Sequence, residues 1–246
     1  TRYKLVTGVQ TCALPICNAS ICPTKVHLPG VSGNAEVAVT WTGVQHRASK
    51  YDTVVTVTPE GKRELRSAIL SRRRALTPEQ RQADAEALAR RAPELVSPGV
   101  VVCAYVPIGT EPGSPAMLDA LIDAGARVLL PVTHPDAPLS WGWYRAGHLT
   151  KASFGLLEPA VPHLPPDAIR QAGVVLVPAL GVDRAGVRLG RGAGFYDRSL
   201  SLAAPDTLLV AVVYDDDLLP ALPAEPHDVA MTHALTPRAG LVTLGV

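Results

Sequence analysis

The chain has 246 residues, 47% of them hydrophobic and 18% charged, and carries a net charge of +1. That balance describes a globular protein with ample material for a core. It gives no electrostatic reason to expect a nucleic acid or an anionic membrane as partner. No apolar run reaches the roughly 18 residues a bilayer span requires, so a cytoplasmic location is the default expectation.

Taken in chain order, the first segment stands apart. Three of the four cysteines, Cys12, Cys17 and Cys22, lie within it, in a spacing that matches no common zinc pattern. The run "VTGVQTCALPI", Val6 to Ile16, reads as the translation of a sequencing-adaptor oligonucleotide. Apart from a short β-like "VVTV", no sustained period follows before Val57. Residues 1–57 are therefore expected to be a non-native or disordered leader, and 58–246 the working domain.

From Thr58 the pattern becomes regular. Thr58, Pro59 and Glu60 form a helix-start signal, and the helix carries Leu65 and Ile69 one turn apart. "TPEQ" at Thr77 to Gln80 predicts a capping box opening a second helix. "VVVCAYV" is a buried strand, and Ser114-Pro115 starts a third helix that Gly125 ends. "RVLLPV", "VVLVPAL" and "TLLVAVVY" are further β-branched runs separated by helix-length segments, and "LSWGWYR" alternates like an edge strand. Strands alternating with helices predict a single three-layer α/β/α domain with a mostly parallel sheet.

In such sheets ligands bind beyond the carboxyl ends of the strands. Three loops at those ends carry unusual residues: "PIGTEPGS", "GVDRAGVRLGRGAGFYD" and "DDDLLPALPAEPHD". In the second, Gly190, Gly192 and Gly194 allow positive φ and close backbone approach, and a helix start through "YDRSLSLA" would favour an anion. Arg188 and Arg191 add donors suited to phosphate. "GVDRAGVR" has the glycine frame of a P-loop without its Lys-Ser/Thr. Asp197 beside an anion-binding loop calls for an intervening cation, for which Mg²⁺ is the usual choice, with Asp228 a candidate second carboxylate. Of eight aromatics from Gly61 onward, seven are assigned to the loops or their borders, consistent with a flat ring as ligand. Lys62 and Arg66 share a helix face able to address one anion, whereas Arg72 to Arg74 read as a solvated face. No G-x-S-x-G elbow or H-E-x-x-H motif is present. Each feature alone has an equally ordinary structural reading.

Together the motifs "KRELR", "YVPIGTEPGS", "FGLLEP", "VPALGVDRAGVRLGRGAGFYDRSL" and "PAEPHDV" resemble the 5-formyltetrahydrofolate cyclo-ligase family, from about Lys62 to Leu235. The resemblance implies a fold like the sugar-phosphate isomerase and CoA-transferase group. It also implies Mg²⁺- and ATP-dependent ring closure of 5-formyltetrahydrofolate to 5,10-methenyltetrahydrofolate through a phosphorylated formyl group. It places Lys62, Arg63 and Arg66, together with Arg188, Leu189, Gly190, Arg191, Gly192, Ala193, Gly194, Phe195 and Tyr196, around ATP. It places Val106, Glu111, Phe154, Arg191, Phe195 and Tyr196 at the folate, Asp197 and Asp228 at the metal, and catalysis on Arg191 and Glu111. Some members carry lysine at the position of Ala193 and tyrosine at that of Phe195, so one phosphate donor is missing here. The implied partners are small molecules only, with no nucleic acid and no membrane, on a monomer or dimer. A non-catalytic folate- or nucleotide-binding relative and a phosphosugar enzyme on the same fold are the alternatives.

Overall fold

The computed structural model describes residues 24–26, 37–39, 59–152, 155–225 and 228–245. Within the leader, β1 (Thr24–Val26) and β2 (Val37–Val39) pair antiparallel. The remainder of 1–57, including "VVTV" and the three leader cysteines, lies outside the described residues.

The first helix, α1 (Pro59–Ala75), opens at the expected proline, while Thr58 is outside the described residues. Helix α2 (Pro78–Arg91) starts on the predicted capping box. Thr77 Oγ1 accepts the Gln80 amide at 3.2 Å and Gln80 Oε1 accepts the Thr77 amide at 2.8 Å. Replacing Thr77 by alanine should cost about 1 kcal/mol, lowering the melting temperature by a few degrees.

Then follow β3 (Val101–Cys103), α3 (Pro115–Asp123), β4 (Arg127–Val132), β5 (Ser140–Trp143), β6 (Leu149–Lys151) and β7 (Leu157–Pro159). The second half holds β8 (Ala172–Pro178), β9 (Gly181–Asp183), β10 (Arg188–Leu189), α4 (Phe195–Leu200), β11 (Leu208–Val212), β12 (Leu218–Leu219), β13 (His233–Thr236) and β14 (Gly240–Thr243).

Seven strands form the central sheet in the order β14-β13-β11-β8-β3-β4-β5. The inner pairings are parallel, and the two edge strands, β14 and β5, run antiparallel. The expected edge role of "LSWGWYR" is thus met, although Trp141 within it is fully buried.

Side-chain alternation explains the apolar runs. Val102, Val128, Leu130, Val174, Leu176, Val210 and Val212 face α2 and α3, packing on Leu88, Met117, Leu118 and Leu121. Their neighbours Cys103, Leu129, Val175, Val177, Leu209 and Ala211 face the other side. With both faces covered, every position in a strand is apolar. The second face holds less helix than the alternation suggests: α4 is six residues long, and a short 3₁₀ turn at Pro166–Gln171 contributes Ala168 and Ile169.

A third cluster locks α1 to the sheet's carboxyl end. Ile69 packs against Leu180, Leu189, Leu219 and Leu222, over a small sheet ordered β10-β9-β12. Asp183 fixes that sheet: Oδ1 accepts the amides of Ala185 and Val187, and Oδ2 accepts the amide of Leu222 at 2.7 Å. "GVDRAGVR" is therefore a hairpin organised by a buried aspartate. Among the described residues, no helix is long and apolar enough to cross a membrane.

Candidate active site

A cleft of about 310 Å³ opens at the carboxyl ends of β3, β4 and β8, where parallel sheets place their ligands. Its floor and sides are mostly apolar, including Val106, Ile108, Pro131, Leu139, Leu157 and Leu180. The glycine loop from Arg188 to Asp197 contributes to its lining, as do Thr133 and Glu158.

Two of the three glycines adopt left-handed backbone, Gly192 at φ +103° and Gly194 at φ +71°. Gly190 does not: it supplies room instead, since a Cβ there would meet Arg188 Nη1 at 2.9 Å. The helix expected from Tyr196 to Ala203 ends at Leu200, so its macrodipole is small and the loop's own amides and arginines carry the positive character.

Two loops meet here. Arg191 Nε lies 3.1 Å from Glu111 Oε1, and Glu111 Oε2 accepts the Ile108 amide at 3.0 Å. Burial pushes the Glu111 carboxyl above its ordinary range, with the Ile108 N–H and the Arg191 charge opposing that rise. Arg188, its side chain 7% exposed, pairs with Asp197. The cation that charge reasoning demanded beside Asp197 is thus supplied in part by the chain itself. Arg188 Nε and Tyr196 Oη are buried without a hydrogen-bond partner. Orphaned polar atoms on a cleft wall are what a ligand would satisfy.

Helix α1 binds the glycine loop from outside. Arg66 Nε donates to the Gly190 carbonyl at 2.9 Å. One turn earlier, Lys62 pairs with Glu225, whose amide donates to Asp228 Oδ2 at 2.8 Å. One helix face therefore reaches both the loop that ends in Asp197 and the loop that holds Asp228. Arg63 is on the exposed side of α1, and the Leu189 side chain packs inward with Ile69. Lys62, Arg66 and Asp228 stand outside the cleft lining. Phe154 lies outside the described residues.

The aromatic argument holds only in part. Tyr105, Phe195 and Tyr196 line the cleft. Trp141 is core, with Nε1 donating to the Pro166 carbonyl at 3.2 Å, Trp143 stacks with Arg127, and Tyr144 donates to Asp119 at 2.7 Å. These three serve the sheet edge.

Sequence reasoning missed Arg73, Thr133 and Glu158. Arg73 is 1% exposed, not solvated. Its Nε donates to Asp217 Oδ2 at 2.8 Å, and its Nη2 to the Ala179 and Leu180 carbonyls. It borders the cleft on one side and, on the other, a second hollow of about 280 Å³ lined by Asp84, Tyr214, Asp215 and Asp217 among others. The signal was present: Leu65, Ile69 and Arg73 continue one i, i+4 stripe. Thr133 directly follows a predicted strand, and Glu158 sits inside "FGLLEP".

Mg²⁺ characteristically takes one or two carboxylates and leaves its other positions to phosphate and water. Among the described residues, no group of three or more His, Cys, Asp or Glu side chains could hold a metal on its own. Of the two carboxylates expected at a metal, Asp197 lines the cleft and Asp228 stands outside its lining.

The parallel sheet, the carboxyl-end cleft and the glycine-arginine loop define an α/β protein with a cleft of small-molecule size. Residues 58–237 match the model of the 5-formyltetrahydrofolate cyclo-ligase family. A 5-formyltetrahydrofolate cyclo-ligase of Mycolicibacterium smegmatis is 55% identical over 193 residues, spanning 76% of this chain and all of the relative. The Escherichia coli K12 protein of the same name is 32% identical over 177 residues, spanning 69% of this chain and 96% of its own. The NMR structure of Aquifex aeolicus 5,10-methenyltetrahydrofolate synthetase superposes with a TM-score of 0.62 at 26% identity, covering 74% of this chain and 92% of that one. The Mycoplasma pneumoniae 5,10-methenyltetrahydrofolate synthetase shares the fold, with a TM-score of 0.55 at 21% identity, over 69% of this chain and 94% of that one. The chain belongs to the 5-formyltetrahydrofolate cyclo-ligase family.

Proposed function

We propose that the protein closes 5-formyltetrahydrofolate to 5,10-methenyltetrahydrofolate at the expense of ATP. The observation that carries this reading is the Glu111–Arg191 pair, which joins the β3 loop to the glycine loop across a cleft large enough for a heterocycle. In the proposed reaction the N5-formyl oxygen attacks the γ-phosphorus and ADP leaves. N10 then bonds to the activated carbon, and the carbon–oxygen bond breaks to release phosphate. A formyl oxygen is a poor leaving group, and phosphorylation removes that difficulty. The protein's share is positioning and charge stabilisation.

Gly190, Gly192, Ala193 and Gly194 present backbone to the triphosphate, flanked by Arg188 and Arg191, with Lys62, Arg63 and Arg66 reinforcing from α1. Glu111 holds Arg191 and faces the reduced ring, with Val106, Phe195 and Tyr196 beside it; Phe154, outside the described residues, is assigned to the same ring by the family resemblance alone. Asp197 and Asp228 would hold Mg²⁺, which supplies charge neutralisation on the phosphates when bound. Arg188 exchanges its Asp197 contact for a phosphate oxygen in that arrangement. The catalytic unit is placed in residues 58–246.

The direct test mixes protein, ATP, Mg²⁺ and 5-formyltetrahydrofolate and follows the absorbance of the methenyl product. Turnover is expected from the full chain and, within about twofold, from a chain beginning at residue 57. Binding of both substrates without product at any enzyme concentration would defeat the ligase reading.

A further inference from the structure

We infer that Glu158, held by Thr133, is a specificity-determining residue that accepts hydrogen bonds from the amino-pyrimidine edge of the substrate's bicyclic ring. The inference rests on the cyclo-ligase reading and deepens it. Glu158 Oε1 accepts two bonds from one residue, the Thr133 amide at 2.9 Å and Thr133 Oγ1 at 2.7 Å. Both residues line the cleft. Two donors from a residue at the end of β4 fix the carboxylate's orientation. Its other oxygen, Oε2, has no partner among the described residues.

The contrast with Glu111 assigns the role. Each Glu111 oxygen is already engaged, one by Arg191 and one by the Ile108 amide. Glu158 keeps an acceptor available; the remaining cleft carboxylate, Asp197, pairs with Arg188 within the glycine loop. The cleft that Glu111 and Glu158 line is mostly apolar, including Val106, Ile108, Pro131 and Leu157, which suits the faces of a flat ring. A reduced pterin carries an amino group and a ring N–H on its pyrimidine edge, and both are donors. A fixed carboxylate in a mostly apolar cleft is their complement.

A hydrogen bond to an ionised partner is worth enough that its loss lowers affinity by about tenfold or more. The test uses the full-length protein and its Glu158→Gln variant. The expected result is a KM for 5-formyltetrahydrofolate raised about tenfold, with KM for ATP and kcat each within about threefold of the parent. Calorimetric binding of 5-formyltetrahydrofolate and of its 2-desamino analogue, without ATP, separates recognition from general damage. Glu158→Gln should weaken the parent ligand and leave the analogue nearly unchanged. Thr133→Val, which removes the hydroxyl and keeps the amide, should weaken the parent ligand by a smaller factor. A folate KM within twofold of the parent in Glu158→Gln overturns the inference while leaving the ligase reading intact. So does an equal loss against both ligands or both substrates. Failure of the unsubstituted protein to bind or turn over 5-formyltetrahydrofolate overturns both readings together.

Discussion

Replacing Arg191 by alanine should lower kcat by about 10²–10³-fold, the size of losing one preorganised donor to a developing charge. The guanidinium stands 45% exposed at the mouth of the glycine loop, yet it is not free to wander, because Glu111, 10% exposed, holds Nε at 3.1 Å. Arg191→Lys keeps charge without the planar fork and should recover part of the rate. The pH profile adds an independent readout. Burial raises the Glu111 carboxyl, so on acidification it takes its proton earlier than an exposed glutamate would. The pair with Arg191 is then lost, and the acid limb of kcat/KM should lie above the ordinary carboxylate range and disappear in Glu111→Gln. The stability consequence runs the other way. A raised folded-state value means the contribution of Glu111 to stability is present at low pH and lost as pH rises through that value. At neutral pH, Glu111→Gln should therefore cost rate and little or no stability. Steady-state kinetics beside urea unfolding would read both, and an unchanged kcat in Arg191→Ala would remove this residue from the proposed chemistry.

Asp217→Ala should be the most destabilising single change, by about 3–5 kcal/mol, because it strands a buried guanidinium without its counter-charge. Asp217 is fully buried and Arg73 is 1% exposed. The carboxylate also accepts from Arg72, so two positive side chains lose one anchor. A melting temperature lower by on the order of 10 °C is the expected reading. The pair itself is not an efficient source of stability, since burying both charges costs desolvation first. Arg73→Met combined with Asp217→Leu should accordingly recover most of what Asp217→Ala loses. A loss under about 1 kcal/mol in the single variant would mean that water reaches Arg73.

What the sequence made legible was whatever is decided within a turn or a strand. The capping box at Thr77 needs residues three apart, and both of its bonds form. "RVLLPV" coincides with β4 because the strand is covered on both faces from Val128 to Leu130, while Arg127 marks its exposed start. The glycine loop was readable as well, since alternate glycines between arginines narrow the backbone options. The misreadings came from pairings made across the fold. Arg73 resembles its neighbours Arg72 and Arg74 until Asp217, 144 residues away, comes beneath it. Trp141 and Tyr144 count toward a ring ligand only until their partners, Pro166 and Asp119, each 25 residues distant, tie them to the sheet edge. Helix α4 ends early at Leu200, where the chain turns inward to cover the sheet's second face. Thr133 and Glu158 each look like a polar residue after a strand, and only their contact gives either a direction.

Arg73 separates the cleft from the acidic hollow behind it, with Tyr214 stacked beside its guanidinium. That makes it a bulkhead. In the proposed reaction an activated formyl group would be open to hydrolysis as well as to ring closure, and water passing Arg73 would compete with N10. The arginine's worth would then be counted in product formed per ATP consumed.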